Sequence, residues 1–118
     1  MVRRVLLIDD DASFCELAAE GLKSHGFDVA WHTTSAQGFA SLKSGNFDVV
    51  LTDIQLEGTN GLEFCAALAA SDPDVPVVVM TAFGSMDSAI GAIRAGAYDY
   101  ATKPLALDAR RFEERQAS

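Results

Sequence analysis

The chain has 118 residues, of which 49% are hydrophobic and 22% are charged, and its formal net charge is −8. This length suits one domain, residues 1–118, with a hydrophobic core of its own. The negative charge argues against direct nucleic-acid binding. No apolar run approaches the about 20 residues that span a bilayer, and no signal peptide is recognisable. We therefore expect a cytoplasmic protein outside the membrane.

The first predicted strand is the apolar run at residues 5–8, and three acids at residues 9–11 close it. Helical spacing follows, capped by the last of these acids or by Ser13 and ended by Gly26. The inner face of this helix is predicted to consist of Phe14, Leu17, Ala18, Gly21 and Leu22.

Residues 27–32 alternate between apolar and polar side chains, which is typical of an edge strand with one wet face. Thr34 and Gln37 then fit a capping box, which opens a second helix. The apolar side chains predicted for that helix are Phe39, Ala40 and Leu42.

Residues 47–53 read as a strand buried on both faces that ends on Asp53. Turn-forming residues follow at 57–61, and Gly61 with the next residue opens a third helix. The side chains predicted to face inward are Leu62, Cys65, Ala66 and Leu68.

The most apolar run, residues 77–80, predicts a central strand that ends on Thr81. Ser85 can cap a fourth helix over residues 87–95. Gly91 lies inside that helix and costs about 1 kcal/mol relative to Ala, so the helix should be loosely held.

A mixed strand at residues 98–101 leads to Lys103 and Pro104. A last, short amphipathic segment begins near Asp108 and contains Phe112. The two cysteines, Cys15 and Cys65, form no CxxC motif, so we expect buried, reduced thiols rather than a disulfide or a metal site.

Five strands alternating with helices predict an α/β fold, a doubly wound parallel sheet with helices on both faces. The first, third and fourth strands are apolar throughout, whereas the second and fifth are mixed. Polarity therefore places the second and fifth strands at the edges and favours the order 2-1-3-4-5, whose switch point lies between the first and third strands.

Four strand ends should then meet at one edge of the sheet, carrying Asp9 and Asp10, Asp53, Thr81, and Lys103. Clustered carboxylates repel one another, so they need a neutralising partner. Mg²⁺, or Mn²⁺ in its place, suits a site with one or two direct carboxylates and several waters. A nucleophilic Asp beside a metal, a Lys and a hydroxyl is the equipment for phosphoryl transfer to a carboxylate.

Four motifs carry a resemblance to a known family: Ile8-Asp9-Asp10, Asp53 followed by Gly61, Met80-Thr81-Ala82, and Tyr100-Ala101-Thr102-Lys103-Pro104. Together they resemble the signature of receiver domains of bacterial two-component response regulators, over essentially the whole chain. The residues at 80–85 and 97–104 look most like the NtrC-type enhancer-binding regulators. The resemblance implies a flavodoxin-like fold and a phosphorylation-dependent switch, not an enzyme acting on other substrates.

By this resemblance, Asp53 accepts a phosphoryl group from a cognate histidine kinase. Asp10 and Asp53 bind Mg²⁺ directly, together with the backbone carbonyl of Gln55, and Asp9 acts through water. Thr81 and Lys103 bind the phosphoryl group, and the rotamer of Tyr100 reports phosphorylation.

The resemblance also places Gln55 and Phe83 on either side of the phosphoryl group, where they would tune its lifetime by admitting or blocking water. The alternative for Phe83 is that it packs under the loop before the fourth helix and contacts nothing reactive. We expect Gly61 and Pro104 to be structural, with a cis peptide before Pro104. A homodimer could form through the fourth helix, the fifth strand and the last helix.

Two departures from the family pattern bear on these expectations. Glu57 stands where a proline is usual, which predicts a more flexible loop and an extra acid near the metal. The last helix offers little beyond Ala109 and Phe112 as an apolar face, which weakens the expected dimer surface.

Other functions fit the sequence less well. An aspartate-nucleophile phosphohydrolase needs a second acid where the chain has Gln55, and a flavin site needs a phosphate-binding loop where residues 9–11 are acidic. A stand-alone or non-phosphorylated receiver-like interaction module remains the alternative. Because Met1 suggests a natural start and no output segment is present, we expect the N-terminal part of a longer regulator that controls transcription.

Overall fold

The computed structural model describes residues 3–56, 58–81 and 86–102. Nine elements alternate along this part of the chain. In order they are β1 (Arg4–Ile8), α1 (Ala12–Ser24), β2 (Asp28–His32), α2 (Ser35–Ser44), β3 (Val49–Asp53), α3 (Gly61–Ser71), β4 (Val77–Thr81), α4 (Met86–Ala95) and β5 (Asp99–Thr102).

The five strands form one parallel sheet in the order β2-β1-β3-β4-β5, so the predicted fold class, strand order and edge strands are confirmed. The pairing continues beyond β1 and β3, where Asp9 N–H donates to the His32 carbonyl at 3.1 Å and Ile54 N–H donates to the Met80 carbonyl at 3.2 Å. Because all strands run the same way, their carboxyl ends meet at one edge.

Successive side chains of each strand point to opposite faces, which divides the core into two clusters. Leu6, Ile8 and Val50 belong to the cluster that includes residues of α2, α3 and α4. Leu7 and Leu51 belong to the cluster that includes residues of α1. All five of these strand side chains are 0% exposed, so β1 and β3 form a fixed base beneath the acids that follow them.

Local signals set the helix starts as predicted. Asp11 caps α1 by accepting from Phe14 N–H at 3.1 Å, and Thr34 caps α2 by accepting from Gln37 N–H at 3.2 Å. Asn60 caps α3 by accepting the first N–H groups of that helix. The expected Ser85 cap and the last helix near Asp108 lie outside the described residues.

Two predictions of inward-facing side chains are wrong. Leu17 of α1 is 71% exposed, and Leu62 of α3 is 40% exposed. The face that α1 does bury consists of Cys15, Ala18, Ala19 and Leu22, and α3 buries Phe64, Cys65 and Leu68. Small residues allow α1 to lie close to the sheet, so the alanine-rich face is buried although Leu17 is more hydrophobic.

Among the described residues, no helix combines the length and the apolar composition that a membrane crossing requires.

Candidate functional site

Three acids lie together at the carboxyl ends of β1 and β3. One carboxylate oxygen from each of Asp9, Asp10 and Asp53 falls in a group whose members are all within 4.8 Å of one another. The sequence-based prediction that these strand ends converge is therefore met for the acids.

The acids differ in exposure, and the difference follows from where each stands. Asp9 comes directly after β1 and is 0% exposed, Asp53 ends β3 and is half-buried, and Asp10 is exposed. Asp53 is thus the acid that combines a fixed position on a central strand with access from outside.

Backbone N–H groups orient two of the carboxylates. Asp9 Oδ1 accepts from Asp11 N–H at 2.9 Å, and Asp53 Oδ1 accepts from Gln55 N–H at 2.9 Å. These two contacts limit the rotamers of the acids before any ligand binds. Cys15 Sγ donates to the backbone carbonyl of Asp9 at 3.4 Å, which holds the main chain at that position.

The charges in this cluster repel one another. Two unit charges about 4 Å apart repel by about 1 kcal/mol in water and by about 4 kcal/mol where the effective dielectric constant is about 20. Asp10 is exposed and Asp53 is half-buried, so the repulsion that involves Asp10 lies near the value in water. A cation placed among the three oxygens would remove it.

The donor set fits a hard divalent cation. Mg²⁺ binds oxygen ligands at about 2.0–2.1 Å, so ligand oxygens on opposite sides of the ion lie about 4 Å apart. A spacing of 4.8 Å or less among the three carboxylate oxygens is close to that span, and waters can complete the shell. Asp9, Asp10 and Asp53 are the described residues that could hold such an ion.

Thr81 and Tyr100 lie on the next two strands. Thr81 ends β4 and is 4% exposed, and it stands one residue beyond Met80, the β4 partner of Asp53. Tyr100 is on β5 opposite Val79, half-buried, and it packs against the cluster that includes α3 and α4. Thr81 therefore ends the strand adjacent to Asp53, and Tyr100 lies one strand farther away.

Gly61 begins α3 where the chain has no room for a side chain, because a methyl group there would overlap the carbonyl oxygen of Ile54. Gln55 is exposed, two residues after Asp53. The predicted site residues Phe83, Lys103 and Pro104, together with Glu57, lie outside the described residues.

One polar contact of the segment after Asp53 could not be predicted from the sequence. Ser35 Oγ, in the first turn of α2, and Thr59 Oγ1, in the segment after Asp53, share a hydrogen bond of 3.0 Å. No local signal indicates it, because the two hydroxyls are 24 residues apart in the chain.

Known proteins resemble the chain in sequence. The pattern of the response regulator receiver domain family matches residues 5–112. The transcriptional regulatory protein ZraR of Klebsiella oxytoca is 36% identical over 104 residues, which cover 88% of this chain and 24% of that protein. The chain thus spans about a quarter of the length of this relative.

Solved structures agree with the fold. NtrX from Brucella abortus superposes with a TM-score of 0.90 at 28% identity, covering 99% of this chain and 28% of that one. A response regulator from Burkholderia pseudomallei, solved with a phosphorylated aspartic acid, a calcium ion and citrate, gives a TM-score of 0.84 at 26% identity and covers 98% of this chain and 71% of that one. The predicted family is therefore confirmed: the chain belongs to the response regulator receiver domains of two-component systems.

Proposed function

We propose that Asp53 is the phosphoacceptor of this receiver domain and that a histidine kinase supplies the phosphoryl group in a Mg²⁺-dependent reaction. The observation that carries the proposal is the three-acid cluster, whose oxygens lie within 4.8 Å of one another and in which Asp53 is the half-buried member on a central strand. Asp9 is fully buried and Asp10 lies on the flanking loop, so neither combines access with a fixed strand position.

The reaction is a phosphoryl transfer between two side chains. An oxygen of the Asp53 carboxylate attacks the phosphorus of a phosphohistidine, the phosphorus–nitrogen bond breaks, and the imidazole nitrogen of the kinase leaves and takes up a proton. The product is an acyl phosphate on Asp53. The Gln55 N–H donates to Asp53 Oδ1 at 2.9 Å, which orients the carboxylate for the reaction.

The metal would be held by Asp10, Asp53 and the backbone carbonyl of Gln55, with Asp9 acting through a water. When bound, Mg²⁺ or Mn²⁺ supplies positive charge that offsets both the carboxylates and the phosphoryl oxygens. The chain's own contribution is to hold the acids in place with backbone N–H groups and buried strands.

Thr81 and Lys103 would bind the phosphoryl oxygens, Thr81 as a hydroxyl donor and Lys103 as a point charge. The position of Thr81 at the end of β4, adjacent to β3, supports its part. Movement of the Thr81 hydroxyl towards the phosphoryl group would then free space for the Tyr100 ring and shift α4.

The lifetime of the acyl phosphate would depend on the water path along the Asp53–phosphorus bond. We assign Gln55 and Phe83 to that path. Phe83→Ala is expected to shorten the half-life of the phosphorylated protein without weakening Mg²⁺ binding, and an unchanged half-life would limit Phe83 to packing.

The output of the switch is proposed to be transcription, with this chain as the receiver part of a longer NtrC-type regulator. The 24% coverage of ZraR, a transcriptional regulatory protein, supports this arrangement. The exposed side chains of Ile90 and Ile93 on α4 and of Tyr98 before β5, at 44%, 39% and 50%, would serve contacts with a second receiver or with the output part.

Intact-mass measurement after incubation with acetyl phosphate tests the phosphoacceptor. Wild-type protein should gain the mass of one phosphoryl group with Mg²⁺ and none with a chelator, and Asp53→Asn should gain none in either case. Asp28→Asn is the matched control, because Asp28 is an exposed acid that begins β2 at the opposite edge of the sheet and should leave labelling unchanged. Equal labelling of Asp53→Asn would overturn the assignment, and a wild type that is never labelled would favour the non-phosphorylated interaction module.

A further inference from the structure

We propose that Ser35 and Thr59 are positioning residues for the phosphorylation site. Their shared hydrogen bond of 3.0 Å holds the segment that follows Asp53 against the start of α2, and it thereby fixes the backbone around Gln55. This inference rests on the proposed function, because it concerns the cation and the phosphoryl group that the site would bind.

The segment between β3 and α3 is fixed firmly at its two ends. Ile54 N–H donates to the Met80 carbonyl at 3.2 Å, and Asn60 Oδ1 accepts from Leu62 N–H and Glu63 N–H at 3.0 and 3.1 Å. Ile54 and Leu56 are also buried, at 7% and 4% exposure. Between these fixed ends lie Gln55, which is exposed, and then Gly58 and Thr59.

Among the described residues in the middle of the segment, Gly58 and Thr59 take part in few hydrogen bonds. Thr59 N–H donates to the Leu56 carbonyl at 3.1 Å, and Gly58 has φ +73°, which permits the turn. The Thr59 side chain then reaches Ser35 of α2. Among the described residues, this contact is the one side-chain hydrogen bond that joins the turn to another helix.

The partner helix is itself tied to the other side of the acid cluster. Ser35 is the first residue of α2, which the chain enters from the end of β2. At that end the His32 carbonyl accepts from Asp9 N–H at 3.1 Å. The Ser35–Thr59 bond therefore links the loop next to Asp53 with the helix that follows β2, and the last residue of β2 bonds to Asp9.

If the loop after Asp53 opens when the Ser35–Thr59 hydrogen bond is lost, metal binding depends on that hydrogen bond. Oxygen ligands must be placed within a fraction of an ångström for Mg²⁺, which demands near-ideal geometry. Opening lowers the fraction of molecules that can bind, and the apparent Kd rises by the same factor. Loss of one neutral hydrogen bond typically changes such an equilibrium by about two- to tenfold.

The variants separate the hydrogen bond from the bulk of the side chains. Ser35→Ala and Thr59→Val remove one hydroxyl each, and the double variant should resemble either single one, because both break the same bond. Thr59→Ser keeps the hydroxyl and should restore wild-type behaviour. Ser44→Ala is the matched control on α2, because Ser44 Oγ donates to the Ala40 and Ser41 carbonyls of its own helix at 3.1 and 3.4 Å.

Two measurements read the effect. Hydrogen exchange of the Gln55 and Thr59 amides in metal-free protein should lose protection by about two- to tenfold in Ser35→Ala and Thr59→Val. Calorimetric titration with Mg²⁺ should show a Kd raised about twofold or more in the same variants. Ser44→Ala and Thr59→Ser should match the wild type in both.

The outcomes separate this inference from the proposed function. Reduced amide protection with an unchanged Mg²⁺ Kd would make the hydrogen bond structural only and would overturn the positioning role, and unchanged protection would overturn the link itself. A wild type that binds Mg²⁺ and is labelled at Asp53 preserves the proposed function in either case. A wild type that binds no Mg²⁺ would overturn the proposed function and the positioning role together, whatever the exchange results.

Discussion

The end of the sheet that carries the acids and the helix that follows β4 are held by very different amounts of packing. Beneath the acids, Leu7 and Ile8 of β1 and Leu51 of β3 are 0% exposed. In α4 the buried described side chains are two alanines, Ala89 and Ala92, whereas Ile90 is 44% exposed. One region has a base of large buried side chains, whereas the described buried side chains of α4 are small.

This difference suits a switch. A site that must hold several oxygens in place benefits from strands that cannot shift, since interiors are close-packed and resist deformation. An element that must move between two arrangements needs a small free-energy difference between them. Burying an alanine methyl contributes about 0.8 kcal/mol, so α4 gains little from each contact that it would exchange.

The largest effect is expected from a buried leucine in the fixed region. Leu51→Ala should lower the free energy of unfolding by about 2–5 kcal/mol, because it removes a fully buried side chain and leaves a cavity. Ile90→Ala in α4 should change it by no more than about 0.5 kcal/mol, because the side chain is 44% exposed and Ala favours the helix. Urea denaturation measures both, and similar losses in the free energy of unfolding would contradict the difference between the two regions.

A Gly→Ala substitution should change protein stability in opposite directions in the two regions. Gly61→Ala should destabilise by about 1–3 kcal/mol, since the methyl group would overlap the Ile54 carbonyl. Gly91→Ala should stabilise by about 0.5–1 kcal/mol, because the new methyl group meets Leu62 Cδ1 and Cδ2 at ordinary contact distances of 3.4 and 3.5 Å and Ala is the better helix former.

Thermal unfolding of the two glycine variants, followed by circular dichroism, gives both signs in one experiment. A stable Gly61→Ala protein would show that the turn after Asp53 can shift. A destabilised Gly91→Ala protein would show that α4 lies closer to α3 than the structure indicates. Gly91→Ala should also slow any exchange of α4 between two arrangements.

Removal of one charge should stabilise the acid cluster when no divalent cation is present. Asp10→Asn is expected to raise the free energy of unfolding in chelator by about 0.5–1 kcal/mol, because it relieves repulsion from Asp9 and Asp53. The variant should also lose most of the Mg²⁺-dependent rise in Tm. A wild type that is equally stable with Mg²⁺ and with chelator would contradict this reading of the cluster.

The two cysteines report on the two regions separately. Cys15 Sγ donates to the Asp9 carbonyl at 3.4 Å, and Cys65 Sγ donates weakly to the Ala92 carbonyl of α4 at 3.9 Å. Burial raises the pKa of the Cys65 thiol, so the reactive thiolate is less populated while the site stays closed. Native-state alkylation, followed by mass mapping and scaled to rates in urea, should label Cys65 a few-fold faster than Cys15, and equal rates would remove the distinction.

Sequence periodicity and turn chemistry were sufficient to predict the sheet. The polarity of residues 27–32 and 98–101 marked the edge strands, and the apolar runs before Asp9, Asp53 and Thr81 marked the central ones. The positions of the strand ends in the fold could be predicted with little ambiguity, because parallel strands place their carboxyl ends at one edge of the sheet. The position of the acid cluster followed from the same rule.

Helix faces were harder to predict because hydrophobicity and fit favour different residues. Leu17 is apolar but 71% exposed, and Ala18 and Ala19 are buried in its place at 5% and 3%. The contact between Ser35 and Thr59 could not be predicted either, because it forms only once α2 and the segment after β3 are in place. The exposure of Leu17 and the Ser35–Thr59 contact are both decided by tertiary packing and not by the local sequence pattern.

Relaxation-dispersion NMR of the backbone amides of α1 and α4, with Mg²⁺ and with or without a phosphoryl mimic on Asp53, tests whether α4 is the responsive element. We expect microsecond-to-millisecond exchange in α4 that the mimic suppresses, and no such exchange in the amides of α1 in either state. Equal exchange in α1 and α4, or exchange in α4 that the mimic leaves unchanged, would contradict the division into a fixed region and a responsive one.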